Sequence, residues 1–599
     1  MKCGIIPENS LRLARTSKSR NISQLHHVAR LSSSLKAFLP LPLRPTHLAP
    51  SYDVVIVGGG SAGAHLAYRL SEDCNRQVLL LEAGRQDNAI WVHLPVFYFK
   101  SIGNPHFDWM FKTHGPTSGL DGRSLAWPRG KVLGGSSSLN GLLYVRGLQR
   151  DYDTWAAAGN EGWSYRELLP FFRSCEDAPY DEEHRGRAGP MSVSDGSYVT
   201  ELAERWSSAC AEVDLVSLGG KADSKSSTVV SVCGVPRVRD MSDVAADEDS
   251  KGAGVAYFSN FKTPGGLRCS SALPLHEVRR FRSNLHICCH AEVEQLLLSG
   301  RRVTGVQLLG GREVSAEEVI LSAGSLGSPQ LLLKSGIGAA QRLEEVGLRC
   351  QHDLPGVGEN LQDHLQLRPK FRVRAATLNS EVGNLVKFAV RGGAHWLGAL
   401  LSPTAWRCGW EFLTERKGPV SMAASQVCAF VNSGMNQEEG APDLQFHFQP
   451  MSTTGTPAVY LDAFDAFTAS VCILRPESRG RVELLPDRSL RISPNYLATV
   501  KDQQLALRSL ELAREVSQHP LLREIGAEEV DAPEKTDIAY ARRVAETIYH
   551  PAGTCKMGPS HDPLAVVDDR LRVHGLDGLR VVDCSIMPNI TSGNTHAPQ

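Results

Sequence analysis

Residues 58–63, Gly-Gly-Gly-Ser-Ala-Gly, have the types and the spacing of a phosphate-binding turn. They follow a short apolar run and precede a stretch with helical spacing. In such a turn Gly58 permits the tight bend, Gly60 lets the backbone approach a pyrophosphate, and Gly63 lets the helix pack on the strand. Ser61 belongs to this turn, residues 64–70 follow helical spacing, and the free N–H groups of the helix N-terminus favour an anion. The chemistry indicated is the binding of a dinucleotide.

An acidic residue at the expected distance supports this interpretation. A second apolar run, residues 77–81, ends in Glu82, nineteen residues after Gly63. Strand, turn, helix and strand then form a βαβ unit of the usual size. The Glu82 carboxylate can accept hydrogen bonds from a ribose 2′-hydroxyl and repels a 2′-phosphate, which favours FAD or NAD over NADP. A glycine turn with a purely structural role is the alternative, and the motif alone does not distinguish FAD from NAD.

The composition is that of a folded, nearly neutral protein. The 599 residues include 64 Lys and Arg against 65 Asp and Glu, and 42% are hydrophobic. These values exclude a mainly disordered chain and disfavour a nucleic-acid partner. The longest apolar stretch, residues 385–406, is interrupted by Lys387, Arg391 and His395, so the sequence predicts no transmembrane segment. The 14 cysteines are scattered without a Cys-x-x-Cys pair, which is typical of reduced thiols in an intracellular compartment.

The first 51 residues differ from the rest of the chain. They carry eight basic residues and one acidic residue, Glu8, and they end in a proline-rich run at residues 40–50. This composition resembles an organelle transit peptide and lacks the continuous apolar region of a secretory signal. The prediction is mitochondrial import, with the plastid as the alternative destination. A disordered extension without a targeting role is the other interpretation.

Three further segments contain long motifs in a fixed order. Residues 129–147 include RGKVLGGSSSLNG, residues 322–364 include SAGSLGSPQ and LPGVGENLQDH, and residues 550–598 include HPAGTCKMG and SGNTHAP. Over most of residues 52–599 the sequence thereby resembles the glucose-methanol-choline family of flavin oxidoreductases, in particular its choline dehydrogenase-like branch. The resemblance selects FAD over NAD as the cofactor.

The resemblance implies a fold of two parts. One is an α/β, Rossmann-like FAD-binding domain, and the other is an α+β substrate domain built on an antiparallel sheet. Alternating apolar residues at 444–448 and 470–474 predict strands of that second sheet. The division expected is a transit peptide-like extension at 1–51, a discontinuous FAD-binding domain at 52–150, 262–365 and 545–599, and a lid and substrate domain at 151–261 and 366–544.

The family motifs also imply contacts with the flavin. The small residues that begin at Gly134 can run flat beside the isoalloxazine ring and offer it N–H donors. By resemblance, Asn140 and Gly141 lie against the flavin, Val293 touches the adenine end through its backbone, and Asp583 lies near the phosphate and ribityl region. Some family members attach FAD through a histidine in this signature. This chain has Leu139 there, so non-covalent FAD is predicted.

Oxidation of an alcohol requires a base for the hydroxyl proton and an acceptor for the hydride. Histidine has an ordinary pKa of about 6.5, which suits the base. By resemblance, His550 is the base or stabilises the developing alkoxide, and His596 is the hydrogen-bonding partner of the substrate oxygen. The activity implied is FAD-dependent oxidation of a primary alcohol, choline or a related one, to the aldehyde by hydride transfer to flavin N5. The electron acceptor is left open among a quinone, a carrier protein and oxygen.

The nature of the alcohol is argued from a few residues of the substrate part. Relatives that recognise choline place acidic or aromatic groups around the quaternary ammonium. Where many relatives carry glutamate, this chain has Gln426, whose neutral amide lacks the direct charge attraction, so a neutral primary alcohol fits it as well as choline does. Choline binding would instead use aromatics such as Trp406 or Trp410.

Two alternatives belong to other classes. The fatty acid photodecarboxylase branch is a light-driven lyase, but its characteristic cysteine and arginine are replaced here by Ser425 and His447, which leaves no evident partner for a carboxylate. Family members also continue with a further helix beyond the Gly-Asn-Thr-His-Ala-Pro segment, whereas this sequence stops at Gln599. An inactive, C-terminally truncated family member is therefore the other expectation.

Overall fold

The computed structural model describes residues 48–179, 184–196, 198–213, 237–238, 253–381, 403–423, 425–435, 441–454 and 460–599. The predicted transit peptide lies almost entirely outside these residues, as does most of the apolar stretch 385–406.

A seven-stranded sheet contains the predicted dinucleotide motif. Its strands Ser51–Val57 and Val78–Leu81 are parallel neighbours, and the helix Ser61–Leu70 connects them. This arrangement confirms the predicted βαβ unit. All of Val78–Leu81 is buried, as is usual for a parallel strand that is covered on both faces. In spatial order the sheet consists of Leu285–Cys288, Val78–Leu81, Ser51–Val57, Glu313–Leu321, Arg302–Leu308 and Val293–Ser299, with Leu579–Val581 paired to Glu313–Leu321.

A nine-stranded, largely antiparallel sheet forms the second part of the molecule. Leu444–Gln449 and Ala466–Ile473 pair in antiparallel register, which confirms the strands predicted at 444–448 and 470–474. The two predicted sheet types are therefore both present. In spatial order this sheet consists of Glu528–Glu529, Lys370–Arg372, Ala466–Ile473, Leu444–Gln449, Val427–Val431, Gly254–Tyr257 and Arg237–Val238, with Leu365–Leu367 paired to Ala466–Ile473 and Ala545–Thr547 paired to Leu365–Leu367.

Side chains alternate between the two faces of the nine-stranded sheet. Phe446 and Phe448 contact Trp206 of the helix Glu201–Glu212, with ring centroids 5.7 Å and 5.0 Å apart. The helix Val500–Ser517 belongs to the same hydrophobic core. Since strand side chains alternate with period two, Gln445, His447 and Gln449 face the opposite side of the sheet. That side is directed toward the FAD-binding part.

The sheet pairing places one boundary segment differently from the sequence-based division. Ala545–Thr547, grouped there with the FAD-binding domain, pairs with Leu365–Leu367 in the nine-stranded sheet. This pairing brings the residues just before Leu365 next to those just after Thr547. Two motifs that are far apart in the sequence meet at this point.

Helices cover the sheets and connect them. Among the described helices, none combines the length and apolar character that crossing a bilayer requires. The α-helices span Ser61–Leu70, Ile90–His93, Gln149–Ala157, Tyr165–Cys175, Glu201–Glu212, Leu273–Val278, Gly324–Lys334, Ala340–Glu345, Leu378–Glu381, Pro403–Glu415, Val500–Ser517, Pro520–Arg523 and Ile538–Val544.

Candidate active site

A first cavity opens where the parallel strands of the seven-stranded sheet end. Gly58, Gly60 and Ser61 line it, directly after the strand that ends at Val57. Gly58 has φ of +102°, and a Cβ there would lie 2.5 Å from the carbonyl oxygen of Ser322. A Cβ on Gly60 would meet only one atom within 4 Å, at 3.9 Å, so this part of the backbone borders open space. The turn can therefore admit a ligand against its backbone.

Gly63 and Gly134 support the cavity from behind and do not line it. A Cβ on Gly63 would lie 2.0 Å from the carbonyl oxygen of Gly58, so glycine is needed for helix and strand to pack. Gly134 has φ of +87° and donates its N–H to the carbonyl oxygen of Gly59 at 2.7 Å. That hydrogen bond joins the second motif to the dinucleotide turn.

Glu82 lies at the end of its strand, as the motif predicts, and lines the first cavity. Its two carboxylate oxygens accept the backbone N–H groups of Gly59 and Gly84, each at 2.8 Å. Burial raises the pKa of Glu82 to about 7, and the two backbone hydrogen bonds oppose that rise. The carboxylate is thus held in a fixed position with lone pairs left for ribose hydroxyls.

Val293 and Asp583 line the far parts of the same cavity. Asp583 accepts the backbone N–H of Gly324 at 2.9 Å, and burial raises its pKa. Two other lining residues, Ser322 and Ser325, have buried hydroxyl groups without a hydrogen-bond partner among the described residues. Such orphaned donors are costly in a dry interior, and a bound polar ligand would satisfy them.

A second cavity adjoins the first beneath the nine-stranded sheet. Asn140, Gly141, His550 and His596 all line it, so the structure brings both predicted catalytic histidines together with the predicted flavin contacts. Leu139 also lines it and offers no nucleophilic atom. The residues common to both cavities are Ser61, Arg129, Gly130, Ser136, Thr595 and Gln599.

The hydrogen bonds around His550 define where its proton lies. His364 Nε2 is 3.1 Å from the carbonyl oxygen of Leu474, which can only accept, so this nitrogen carries a proton. In the neutral ring His364 Nδ1 is therefore an acceptor, and His550 Nδ1 donates to it at 3.0 Å. The lone pair of His550 remains on Nε2, where the side-chain N–H of Asn594 points at 3.2 Å.

The surroundings keep this imidazole neutral. Burial lowers the pKa of His550 well below its ordinary value, and the nearby His364, His447 and Arg129 lower it further. Burial likewise lowers the pKa of His364 to about 4. Asp363 fixes the backbone, because its Oδ1 accepts the N–H of His550 at 2.8 Å. The result is a neutral, oriented base in the wall of the second cavity.

His596 has protein partners on both ring nitrogens. The oxygen of the Asn140 amide accepts from Arg268 at 2.7 Å, so its nitrogen donates to His596 Nδ1 at 3.2 Å. Nε2 of the neutral ring then carries the proton and donates to Ser271 Oγ at 3.3 Å. His596 also packs on Phe261, with ring centroids 4.2 Å apart. Its predicted role toward the substrate oxygen stays a prediction.

Two functional residues had no role in the sequence-based interpretation, although both lie in quoted motifs. His364 ends the segment LPGVGENLQDH, and Asn594 lies in SGNTHAP. His364 meets His550 through the pairing of Leu365–Leu367 with Ala545–Thr547, and Asn594 reaches it from an irregular segment, so neither contact has a signal in adjacent sequence. Asn594 Oδ1 is buried and has no partner among the described residues.

The expectations about the alcohol-binding residues need correction. Gln426 does not line the second cavity, because its amide is held by the backbone N–H and hydroxyl of Thr200 and by the carbonyl oxygen of Tyr198. Trp406 and Trp410 lie on an outer helix with 64% and 60% exposure and do not line it either.

The expectation that a carboxylate would find no arginine partner also needs correction. Ser425 and His447 do line the second cavity, and the cavity contains an arginine, Arg368. Its position could not be read from the sequence, because Arg368 follows the strand Leu365–Leu367, whereas His447 lies on the strand Leu444–Gln449.

The residues around the first cavity fit FAD. The open backbone at Gly60, the fixed Glu82 carboxylate and the orphaned serine hydroxyls correspond to the needs of a pyrophosphate and a ribose. Gly58, Gly60, Ser61, Glu82, Val293 and Asp583 would hold the nucleotide, and Asn140 and Gly141 lie at the flavin end beside His550.

Comparison with known proteins agrees with this geometry. Models of the N- and C-terminal parts of GMC oxidoreductases match residues 52–243 and 233–366, and 476–599. The chain is 35% identical over 563 residues to an oxygen-dependent choline dehydrogenase of Photobacterium profundum, covering 92% of this chain and 91% of that protein. It is also 35% identical over 566 residues to an alcohol dehydrogenase [acceptor] of Pseudomonas putida, covering 91% and 93%.

Among solved structures, the crystal structure of pyridoxine 4-oxidase from Mesorbium loti is similar, with a TM-score of 0.74 and 31% identity over 91% of this chain and 96% of that one. The family models cover every residue that lines the first cavity, and they cover His550, Asn594 and His596 of the second. The chain therefore belongs to the glucose-methanol-choline (GMC) family of FAD-dependent oxidoreductases.

Proposed function

We propose that this protein oxidises a primary alcohol to the aldehyde with His550 as the base. The observation that carries the proposal is the lone pair of His550 Nε2 in a cavity that adjoins the FAD-binding cavity. The names of its relatives, an oxygen-dependent choline dehydrogenase and an alcohol dehydrogenase [acceptor], support an alcohol as the substrate. FAD, when bound, supplies the hydride acceptor at flavin N5.

The protein groups divide the proton chemistry among them. His550 Nε2 takes the hydroxyl proton of the alcohol, while His364 Nδ1 holds the opposite N–H of the ring and keeps it oriented. Asn594, which also lines the cavity, places its amide beside the same Nε2. The alkoxide formed is stabilised by the imidazolium that results from the proton transfer.

An anaerobic visible absorption spectrum of the FAD-loaded full chain tests this function. Addition of a primary alcohol should bleach the oxidised flavin. His550→Ala should slow the bleaching by about 100-fold or more and leave the spectrum before addition unchanged, since general-base catalysis contributes about that much. The matched control is His561→Ala, at an exposed histidine outside both cavities. Equal bleaching rates in His550→Ala and the control would refute the assigned role.

We also propose import into the mitochondrion, on the basic, serine- and proline-rich composition of residues 1–51. A fusion of these residues to a fluorescent protein should accumulate in mitochondria. A plastid or cytosolic signal would contradict this.

The electron acceptor proposed is a quinone, a carrier protein or oxygen. Comparing the rates at which each class of acceptor reoxidises the reduced flavin distinguishes them.

A further inference from the structure

The charge of the second cavity differs from what a quaternary ammonium requires. Among the described residues that line it, the permanently charged ones are Arg129 and Arg368, and none is Asp or Glu. Aromatic faces can bind a cation, but an arginine in the same small space repels it. The cavity therefore favours an anionic group over a cationic one.

The two arginines differ in how their charge is compensated. Arg129 lies near the carboxylates of Asp108 and Asp363, and it donates to the backbone carbonyl oxygen of Pro128 at 2.6 Å. Arg368 donates from Nη2 to neutral acceptors only, Gln449 Oε1 at 3.2 Å and Thr453 Oγ1 at 3.4 Å. Within the described residues no carboxylate lies in ion-pair distance of it.

The neutral partners hold the Arg368 guanidinium in place, and most of its N–H donors have no acceptor among the described residues. A guanidinium has five N–H groups, and the hydrogen bonds just named use only those of Nη2. Gln449 is fixed in turn by its amide nitrogen, which lies 3.4 Å from Ser425 Oγ. An oriented fork with free donors matches the planar geometry of a carboxylate.

His364 lies directly before the strand Leu365–Leu367 and Arg368 directly after it. His364, Gln366 and Arg368 alternate along one extended segment, so they lie on the same face, and the last two line the cavity. At about 3.3 Å per residue, the Cα of Arg368 is roughly 13 Å from that of His364. Since His364 contacts His550, the arginine marks the end of the cavity remote from the reacting alcohol.

Apolar side chains line the cavity alongside these polar groups. They suit an alkyl or aryl body, and the phenol of Tyr98 is the one among them that can form a hydrogen bond with a hydroxyl group. These side chains are Tyr98, Ile102, Leu143, Met451 and Ile548.

We propose that the alcohol substrate carries a carboxylate on an apolar body and that Arg368 binds this carboxylate while His550 receives the hydroxyl group. The inference rests on the proposed function and narrows its substrate class to hydroxy acids. Arg368 is then the residue that determines specificity, in place of Gln426.

Two measurements on the FAD-loaded full chain test the inference. The first compares KM and kcat for ω-hydroxyhexanoate, hexanol and choline. We expect the hydroxy acid to have a kcat/KM at least about tenfold above that of the other two. Arg368→Gln should raise its KM about tenfold or more, with kcat and the values for hexanol changed less than about threefold, and Arg368→Lys should restore part of the affinity.

The second measurement is calorimetric titration with hexanoate, which has no hydroxyl group to oxidise. Binding should weaken about tenfold or more in Arg368→Gln and remain in the control Arg407→Gln, at an arginine with 59% side-chain exposure on the outer helix. Hexanoate affinity that is equal in wild type and Arg368→Gln would overturn the inference, as would a preference for hexanol or choline.

The two readouts separate this inference from the proposed function. If hexanoate binds through Arg368 but no alcohol bleaches the flavin, the anion site stands and the alcohol oxidation falls. Loss of the carboxyl group of a fatty acid under blue light would then identify the lyase alternative. If hexanol bleaches the flavin through His550 and hexanoate does not bind, the oxidation stands and the anion site falls.

Discussion

At the scale of single residues, the protonation pattern of the buried histidines supports the proposed role of His550 as the base. One carbonyl oxygen, that of Leu474, determines the tautomer of His364 and, through it, that of His550. The proposed base therefore depends on His364, which does not line the second cavity. Removing the His364 side chain should change the rate of flavin reduction without changing the FAD content.

His364→Phe is expected to slow flavin reduction by about 10- to 100-fold. The substitution removes the acceptor for His550 Nδ1–H, so the ring loses its preferred tautomer and orientation. Anaerobic stopped-flow absorbance measures the rate, and the FAD content reports folding. His364→Gln, whose amide oxygen can accept the same hydrogen bond, should recover part of the rate. Unchanged rates in His364→Phe with full FAD content would contradict the positioning role.

The pH dependence follows from the lowered pKa of His550. A base must be neutral to accept a proton, and a lowered pKa keeps it neutral at pH values below the ordinary value of about 6.5. The rate of flavin reduction should therefore stay constant from about pH 8 through 6.5 and decrease only in more acidic solution. Stopped-flow rates across this range provide the check. A decrease centred at or above the ordinary histidine pKa would show that the folded protein does not lower it.

At the scale of elements, the close packing of strand, turn and helix is what makes the nucleotide site. The turn at Gly58 and the helix Ser61–Leu70 approach so closely that side chains are excluded from the contact. The requirement can be tested by adding a single methyl group.

Gly63→Ala is expected to lower the free energy of unfolding by about 1–3 kcal/mol and to weaken FAD binding. The new Cβ would lie 2.0 Å from the carbonyl oxygen of Gly58, so the helix must move away from the strand. Urea unfolding and FAD titration measure the two effects. The matched control is Gly409→Ala on the helix Pro403–Glu415, where a Cβ meets no atom within 4 Å. That control should raise stability by up to about 1 kcal/mol, and equal effects of the two substitutions would refute the packing argument.

Local patterns in the sequence predicted the elements well, and the site only in part. The βαβ unit and the strands at 444–448 and 470–474 rest on periodicity over a few residues, which the folded chain retains. The direction of a single side chain depends on its tertiary neighbours. The Gln426 side chain points to Thr200, away from the second cavity, and Arg368 enters that cavity from the segment after Leu365–Leu367, so neither position was readable from the motif.

At the scale of the whole molecule, the first cavity is assembled from distant parts of the chain. Gly58, Val293 and Asp583 line it together, although more than two hundred residues separate each from the next. A ligand in this cavity would add contacts among segments that already meet in the seven-stranded sheet and through hydrogen bonds such as that of Gly324 N–H to Asp583.

FAD is therefore expected to stabilise the molecule as a unit. At a free FAD concentration one hundred times its Kd, the expected gain is about 2.7 kcal/mol. Thermal unfolding of flavin-free and FAD-loaded protein, followed by circular dichroism, measures the gain. Hydrogen exchange should slow in strands of both sheets. Slower exchange confined to the turn at residues 58–63 would contradict this coupling.

The alternation of His364, Gln366 and Arg368 along one extended segment, with the strand Leu365–Leu367 at its centre, has a consequence for how relatives with other substrates can arise. Only every second residue of a strand faces the cavity, so a cationic group on this strand can move toward or away from the base only in steps of about 7 Å. The preferred substrate length would then differ between related enzymes by several carbon atoms at once. Intermediate lengths would require changes in another strand.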